Sequence, residues 1–366
     1  MRIGIITFHG SHNYGSMLQA WALQTYLEKQ GHEVEIVNYR SKQQRVVYHK
    51  PISFVRGDVT LASMKRLLMY PQSIRPLYKK WHLFEDFLAK DLKVREEYHT
   101  IEELSELNNR YDLLICGSDQ LWNTNAPDSG DAYFGNWFQG KKISYAASCG
   151  PFPEKCDMKH IRFMIQDFSA VSVRENKLCD LLSRQGVNNV EVVCDPTLLL
   201  DRDIYDKLAG DTPIVKGEYV FFYTHLGHSP HYLKMANQIA EILNLPVISE
   251  KAYYKRDIIN FNHVKRFIEV GPKEFLNLIK FATFTCGDSF HLQVFSILFN
   301  KDFACFNGDN DNRTRTLLQE LGLERQIVSN KAMNITPSHI GFYDSVMTKL
   351  NRYKSDSIGY LIKNIR

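Results

Sequence analysis

Residues 285–303 read TCGDSFHLQVFSILFNKDF, and their hydrophobic period changes partway along. The run FATFTC, which ends at Cys286, has the β-branched and aromatic content of a strand. Val294, Phe295, Leu298 and Phe299 then recur at the three-and-four spacing of a helix. Gly287, Asp288 and Ser289 form the turn between the two, with Asp288 or Ser289 as N-cap. His291 therefore falls in the first helical turn, where unpaired amides and the positive end of the helix dipole favour an anion by about 0.3–2 kcal/mol per charge. An imidazole beside a bound anion is placed to donate a proton; the competing reading is a histidine that caps or packs the helix.

The same alternation extends in both directions. RIGIITF (2–8) reads as a buried strand, GSHNYGS as a turn-rich loop, MLQAWALQTYLEKQG as a helix stopped by Gly31, and HEVEIVNY as the next strand. Strands at 112–116, 143–148 and 170–173 and the strand in NVEVVCDPTLLL continue the series. A second series opens at EYVFFY and runs through HYLKMANQIAEILN, LPVISE, GPKEFLNLIK, FATFTC and DFACF. Strand–helix–strand units imply parallel sheets with ligands at the carboxyl edge. The expectation is an α/β protein of two Rossmann-like doubly wound domains facing across a cleft, with domains at 1–205 and 206–340 and a helical segment, 341–366, packing back on the first.

The chain has 366 residues, 44% hydrophobic and 23% charged, which suits two folded domains with little disorder. Seven cysteines with no C-x-x-C and no zinc spacing read as reduced core residues of a cytoplasmic protein. The apolar part of MRIGIITFHG is too short for a signal peptide, and no run approaches the length of a membrane span. The formal charge of +4 hides an asymmetry, since residues 40–80 hold ten Lys and Arg against one acid, Asp58. That segment reads either as a solvated basic excursion or as a peripheral contact with an anionic membrane face or a diphosphate ligand. Nucleic acid is not expected as a partner.

Further candidates lie at similar junctions. Arg174, where AVSV gives way to a helix, offers a bidentate fork to carboxylate or phosphate, or pairs with a surface acid. GSHNYGS lacks the dinucleotide glycine pattern, but Asn13, Tyr14 and Ser16 at a helix start suit a polar ligand. In GSDQLWN, Asp119 and Gln120 suit sugar hydroxyls and Trp122 the apolar face of a sugar ring, against the readings of N-cap and core residue. His225, His228 and His231 match no zinc spacing, so no metal is expected. Arg313 and Arg315 precede an amphipathic helix, either solvated or lending positive charge to the cleft.

NYGSMLQAWALQTYLEKQGHEVEIVNY, GSDQLWN, SVRENK, CDPTLLL, DSFHLQVFSILFNKDF and NRTRTLLQELGL together resemble, in order and spacing, the polysaccharide pyruvyl transferase family. The resemblance implies a GT-B-like fold and transfer of the enolpyruvyl carbons of phosphoenolpyruvate onto two sugar hydroxyls as a cyclic ketal. It implies no cofactor beyond phosphoenolpyruvate as co-substrate, and a sugar acceptor in a surface polysaccharide or its lipid-linked precursor. It makes the first domain the acceptor side and the second the donor side. Arg174 and His291 match family positions implicated in holding phosphoenolpyruvate. Many members carry an arginine two residues before that histidine; here the position is Ser289, one cation fewer unless Lys301, Arg313 or another arginine reaches in. Donor binding is thus expected of Asp288, Ser289, His291, Arg174 and Arg313, acceptor binding of Asn13, Tyr14, Ser16, Asp119, Gln120 and Trp122, and catalysis of His291 and Asp119. Two alternatives stand beside this one: a nucleotide-sugar glycosyltransferase of GT-B type, and a non-catalytic carbohydrate-binding protein on the same fold.

Overall fold

The computed structural model describes residues 1–54, 57–69, 71–225, 229–250, 264–306, 308–329, 331–332 and 335–366. The chain divides into two compact units, the first comprising Met1–Ser63, Glu85–Leu200 and Leu350–Arg366, the second Met64–Phe84 and Asp201–Lys349. The chain leaves the first unit after Leu200, where Asp195 and Pro196 have ended the last strand.

The first unit is built on β1 (Arg2–Ile6), β2 (Glu33–Ile36), β3 (Leu113–Cys116) and β4 (Lys141–Ser144), all parallel, in the order β2-β1-β3-β4. β5 (Val171–Val173) and β6 (Val190–Val192) continue it through the bridges Ile143↔Ala170 and Ala147↔Val173. Ile3, Ile5, Leu114 and Ile115 are fully buried, as expected of parallel strands covered on both faces. The chain leaves β1 to one side for β2 and returns on the other for β3, so the sheet order reverses between β1 and β3.

In the second unit, β7 (Val220–Tyr223), β8 (Val247–Ser249), β9 (Val264–Arg266), β10 (Phe284–Gly287), β11 (Asp302–Phe306) and β12 (Ile327–Val328) are parallel in the order β12-β11-β10-β7-β8-β9. The reversal falls between β7 and β10. Each unit thus has one topological switch point, where doubly wound sheets open a crevice at their carboxyl edge.

A Cys-Gly pair ends the strand on one side of each crevice. Gly117 has φ +133°, and a Cβ there would sit 2.2 Å from the Tyr145 carbonyl oxygen; at Gly287, with φ +153°, it would sit 1.7 Å from that of Tyr223. Only glycine lets the neighbouring backbones close up this far. No described helix is long and apolar enough to cross a membrane.

Candidate active site

In the first unit the switch-point loops are Thr7–Asn13, after β1, and Gly117–Gln120, after β3. Asn13 caps the helix Tyr14–Lys29, its Oδ1 accepting from the amides of Gly15 (2.9 Å) and Ser16 (3.3 Å). The Ser16 hydroxyl donates to Asp119, whose other oxygen accepts the Gln120 amide at 2.8 Å. Asp119 holds a left-handed backbone, φ +69°, which costs a non-glycine residue about 1–3 kcal/mol. Gln19 braces both loops, donating to the Thr7 hydroxyl (2.9 Å) and accepting the Ser118 amide (3.2 Å).

Asp119 has an acidic neighbour that the sequence does not reveal. Asp128 is buried, and burial together with the charge of Asp119 holds its carboxyl above the usual range, against the pull of its own amide and of the Tyr48 hydroxyl. Tyr48 hydrogen-bonds with both Ser11 and Asp128; burial and then the charges of Asp128 and Asp119 push its hydroxyl up. Two carboxyl groups and a phenol in one crevice can share and pass a proton from a bound hydroxyl.

Arg174 is 2% exposed, with Nη1 2.5 Å from Asp195 Oδ2 and Nη2 4.0 Å from Asp119 Oδ1. Its guanidinium is hydrogen-bonded to Asp195 and stands near Asp119, both carboxylates of its own unit. The structure corrects the reading of Trp122 as a sugar platform: it is fully buried, stacked on Phe134 at 5.6 Å with Phe168 edge-on at 6.2 Å, and is a core residue. Tyr14 is likewise buried. Asn13 and Gln120 are half-buried.

In the second unit the crevice lies between the loop after β7 and the turn after β10. Ser289 is the N-cap position of the helix Phe290–Leu298 but makes no side-chain cap hydrogen bond. Asp288 does not cap either. Its carboxylate, 1% exposed, is drawn to the neighbouring loop, accepting from the Thr224 hydroxyl (3.0 Å), the His225 amide (3.0 Å) and His225 Nδ1 (3.2 Å). The carboxylate so engaged holds the His225 ring at Nδ1. The first turn carries His291, 7% exposed. His225, which the sequence offered only as part of a rejected metal triplet, is the more open imidazole, its side chain 35% exposed. His228 lies outside the described residues; among these, no group of His, Cys, Asp and Glu could hold a metal ion.

Lys301 and Arg313 are placed differently. Lys301 precedes β11, so it stands at the opposite edge of the sheet from the crevice, beside Arg202 and Asp206; burial and the charge of Arg202 lower its pKa. It cannot serve a donor held at the carboxyl edge. Arg313 is at the correct edge but is bound in a fork by Asp311, Nε to Oδ1 at 2.9 Å and Nη2 to Oδ2 at 2.6 Å. Burial opposes the ionised Asp311, yet the charge and hydrogen bonds of Arg313, together with the charge of His225, hold its pKa below the usual range. The pair leaves Arg313 little net charge for an incoming anion.

Beside the first crevice a separate cavity of about 480 Å³ is lined by Thr124, Asn125, Asp131, Lys155, Cys156 and His160, among others. The Cys149 side chain and the amide and hydroxyl of Thr124 bring the Cys156 thiol down to about 6 although burial opposes it; burial raises Cys149 well above the usual thiol range.

Two Rossmann-type units, each with its polar side chains gathered at a switch point, make this a GT-B-like α/β protein. Among solved structures it is similar to the Staphylococcus aureus MnaA–UDP structure (TM-score 0.53, 12% identity, 96% of this chain and 89% of that one). It is also similar to the UDP-GlcNAc 2-epimerase of Methanocaldococcus jannaschii in complex with UDP-GlcNAc and UDP (TM-score 0.52, 15% identity, 97% and 93%). At such identities the likeness concerns the fold alone. A search of curated protein sequences gave no significant match. The model of the polysaccharide pyruvyl transferase family matches residues 13–310, and the chain belongs to that family.

Proposed function

We propose that this protein uses phosphoenolpyruvate to form a pyruvate ketal on a sugar of a surface polysaccharide or of its lipid-linked precursor. One observation carries the reading beyond family membership: the helix Phe290–Leu298 begins without a side-chain cap, the nearest carboxylate is engaged by Thr224 and His225, and an imidazole stands in its first turn. A phosphate or carboxylate finds amide donors and the positive end of the dipole there.

In the proposed reaction His291, as imidazolium, protonates the methylene carbon and a C–H bond forms. The carbon bearing the phosphate becomes electrophilic, a sugar hydroxyl adds to it, and phosphate leaves with the C–O bond electrons. A second hydroxyl adds to the same carbon and closes the ketal. Of the two hydroxyl protons, one balances the proton given to carbon and the other leaves with phosphate. Asp119, with Asp128 and Tyr48 behind it, accepts and relays protons on the acceptor side, and His225, oriented by Asp288, receives the proton that recharges the donor site.

Thermal denaturation with phosphoenolpyruvate and, separately, with UDP-sugars tests the donor class. Stabilisation by phosphoenolpyruvate alone is expected. Stabilisation by a UDP-sugar alone would replace this reading with a nucleotide-sugar glycosyltransferase, and the absence of phosphate release with every acceptor offered would favour a non-catalytic binding protein.

A further inference from the structure

We propose that the helix Gly57–Met69 is an interfacial anchor that lays an apolar stripe on an anionic bilayer. Ser63, fully buried, fastens one face of this helix through its hydroxyl to both the amide (2.9 Å) and the carbonyl (2.8 Å) of Ser53. Leu61, Met64 and Leu68, spaced three and four apart, share the face turned away from Ser63 and are 67%, 48% and 79% exposed. Leu67 and Met69 on the same helix, with Val47 and Phe54 before it, are exposed as well. Seven of the fourteen large apolar side chains exposed among the described residues thus fall within residues 47–69. An amphipathic helix that serves only a protein core points its stripe inward; this one points outward.

Charge identifies the occupant. Lys65 on the helix and Lys42, Arg45 and Arg75 in the flanking sequence are exposed, whereas Lys79 and Lys80 are paired with Glu269 and Glu250. A second copy of the chain would bring these basic side chains against their own like. An anionic lipid surface answers both the apolar stripe and the positive charge. A helix of this kind lies in the headgroup region, and a lipid-linked acceptor would be met there, but the inference stands on the surface alone and does not depend on the donor assignment.

Co-sedimentation with vesicles of phosphatidylcholine, with and without phosphatidylglycerol, tests it in the absence of any substrate. The wild-type chain is expected to bind only the anionic vesicles, and less as salt is raised. The triple variant Leu61→Ser, Met64→Ser, Leu68→Ser should lose at least about tenfold in vesicle affinity, and Lys65→Glu with Arg75→Glu should weaken binding in the same direction. Both variants should keep the wild-type circular dichroism spectrum. Failure of the wild type to sediment with anionic vesicles, or undiminished binding by the triple variant, would overturn the proposal. So would a dimer that the triple substitution converts to monomer, since the stripe would then be an interface between copies.

Discussion

Replacing Asp195 separates a bracing role for Arg174 from a ligand-binding one. The Asp195 side chain has no solvent exposure; Oδ2 lies 2.5 Å from Arg174 Nη1, and Oδ1 accepts the Thr197 amide (3.0 Å) and hydroxyl (2.7 Å). Asp195→Asn keeps an oxygen for Thr197 but removes the nearest negative charge from a guanidinium that is 2% exposed. Breaking a buried pair on one side costs about 3–5 kcal/mol. Asp195→Ala adds the loss of the Thr197 contacts, about 1 kcal/mol more. Against a typical total of about 5–15 kcal/mol, the first unit loses a large share of its stability. Urea denaturation followed by tryptophan fluorescence reads this directly, because Trp122 and Trp137 both lie in that unit's core. Stabilisation of the Asn variant by phosphoenolpyruvate should persist at low temperature. An Asn variant within about 1 kcal/mol of wild type would refute the reasoning and return Arg174 to the role of a ligand fork.

Three further outcomes follow from groups whose titration the fold perturbs. Asp128 has a raised pKa in the folded chain, so the native state holds its proton more tightly, and stability from this group falls as pH rises from the ordinary carboxylate value towards the raised one. Asp128→Asn should therefore stabilise at neutral pH and do little in acid, as thermal melts at the two pH values would show. His9, brought down to about 4 chiefly by burial and further by the charge of Arg40 despite its bond to Asn38, favours the neutral ring in the folded state. Stability should fall as pH drops from about 6.5 to 4, and His9→Gln should flatten that limb. Iodoacetamide should label Cys156 with a rate that rises through pH about 6, leaving Cys149 unlabelled, as peptide mass mapping would record.

The doubly wound architecture was readable because most of the strands announced themselves through a short β-branched or aromatic run ending in a polar turn, and the helices between them through three-and-four spacing, whereas the short strands β9 and β12 and the helices Gly57–Met69 and Ile74–Asp91 carried no such signal. The turn at Gly287–Ser289 was readable for the same reason, and with it the place of His291. What stayed hidden depends on contacts between segments far apart in the chain. Asp288 could be seen as a cap but not as the acceptor for Thr224 and His225, because that bond crosses from β10 to β7. Asp128 carries no local motif, and only its approach to Asp119 and Tyr48 gives it a role. Trp122 was misread because residue type suggested a ligand while neighbouring rings already enclosed it, and the pairing of Arg313 with Asp311 is likewise announced by no local pattern. Membership of Met64–Phe84 in the second unit is marked by no change of composition, and the basic excess of residues 40–80 gave no sign of the helix Gly57–Met69 or of its exposed apolar stripe.

The most direct measurement of the central claim is the mass of acceptor glycosides of galactose, mannose and N-acetylmannosamine after incubation with phosphoenolpyruvate and either the wild-type chain or His291→Gln. The account predicts that the wild type adds pyruvate less one water to one of them with equimolar phosphate release, and that the variant does so about 10²–10⁴ times more slowly. Ketal formation by His291→Gln at the wild-type rate would contradict it.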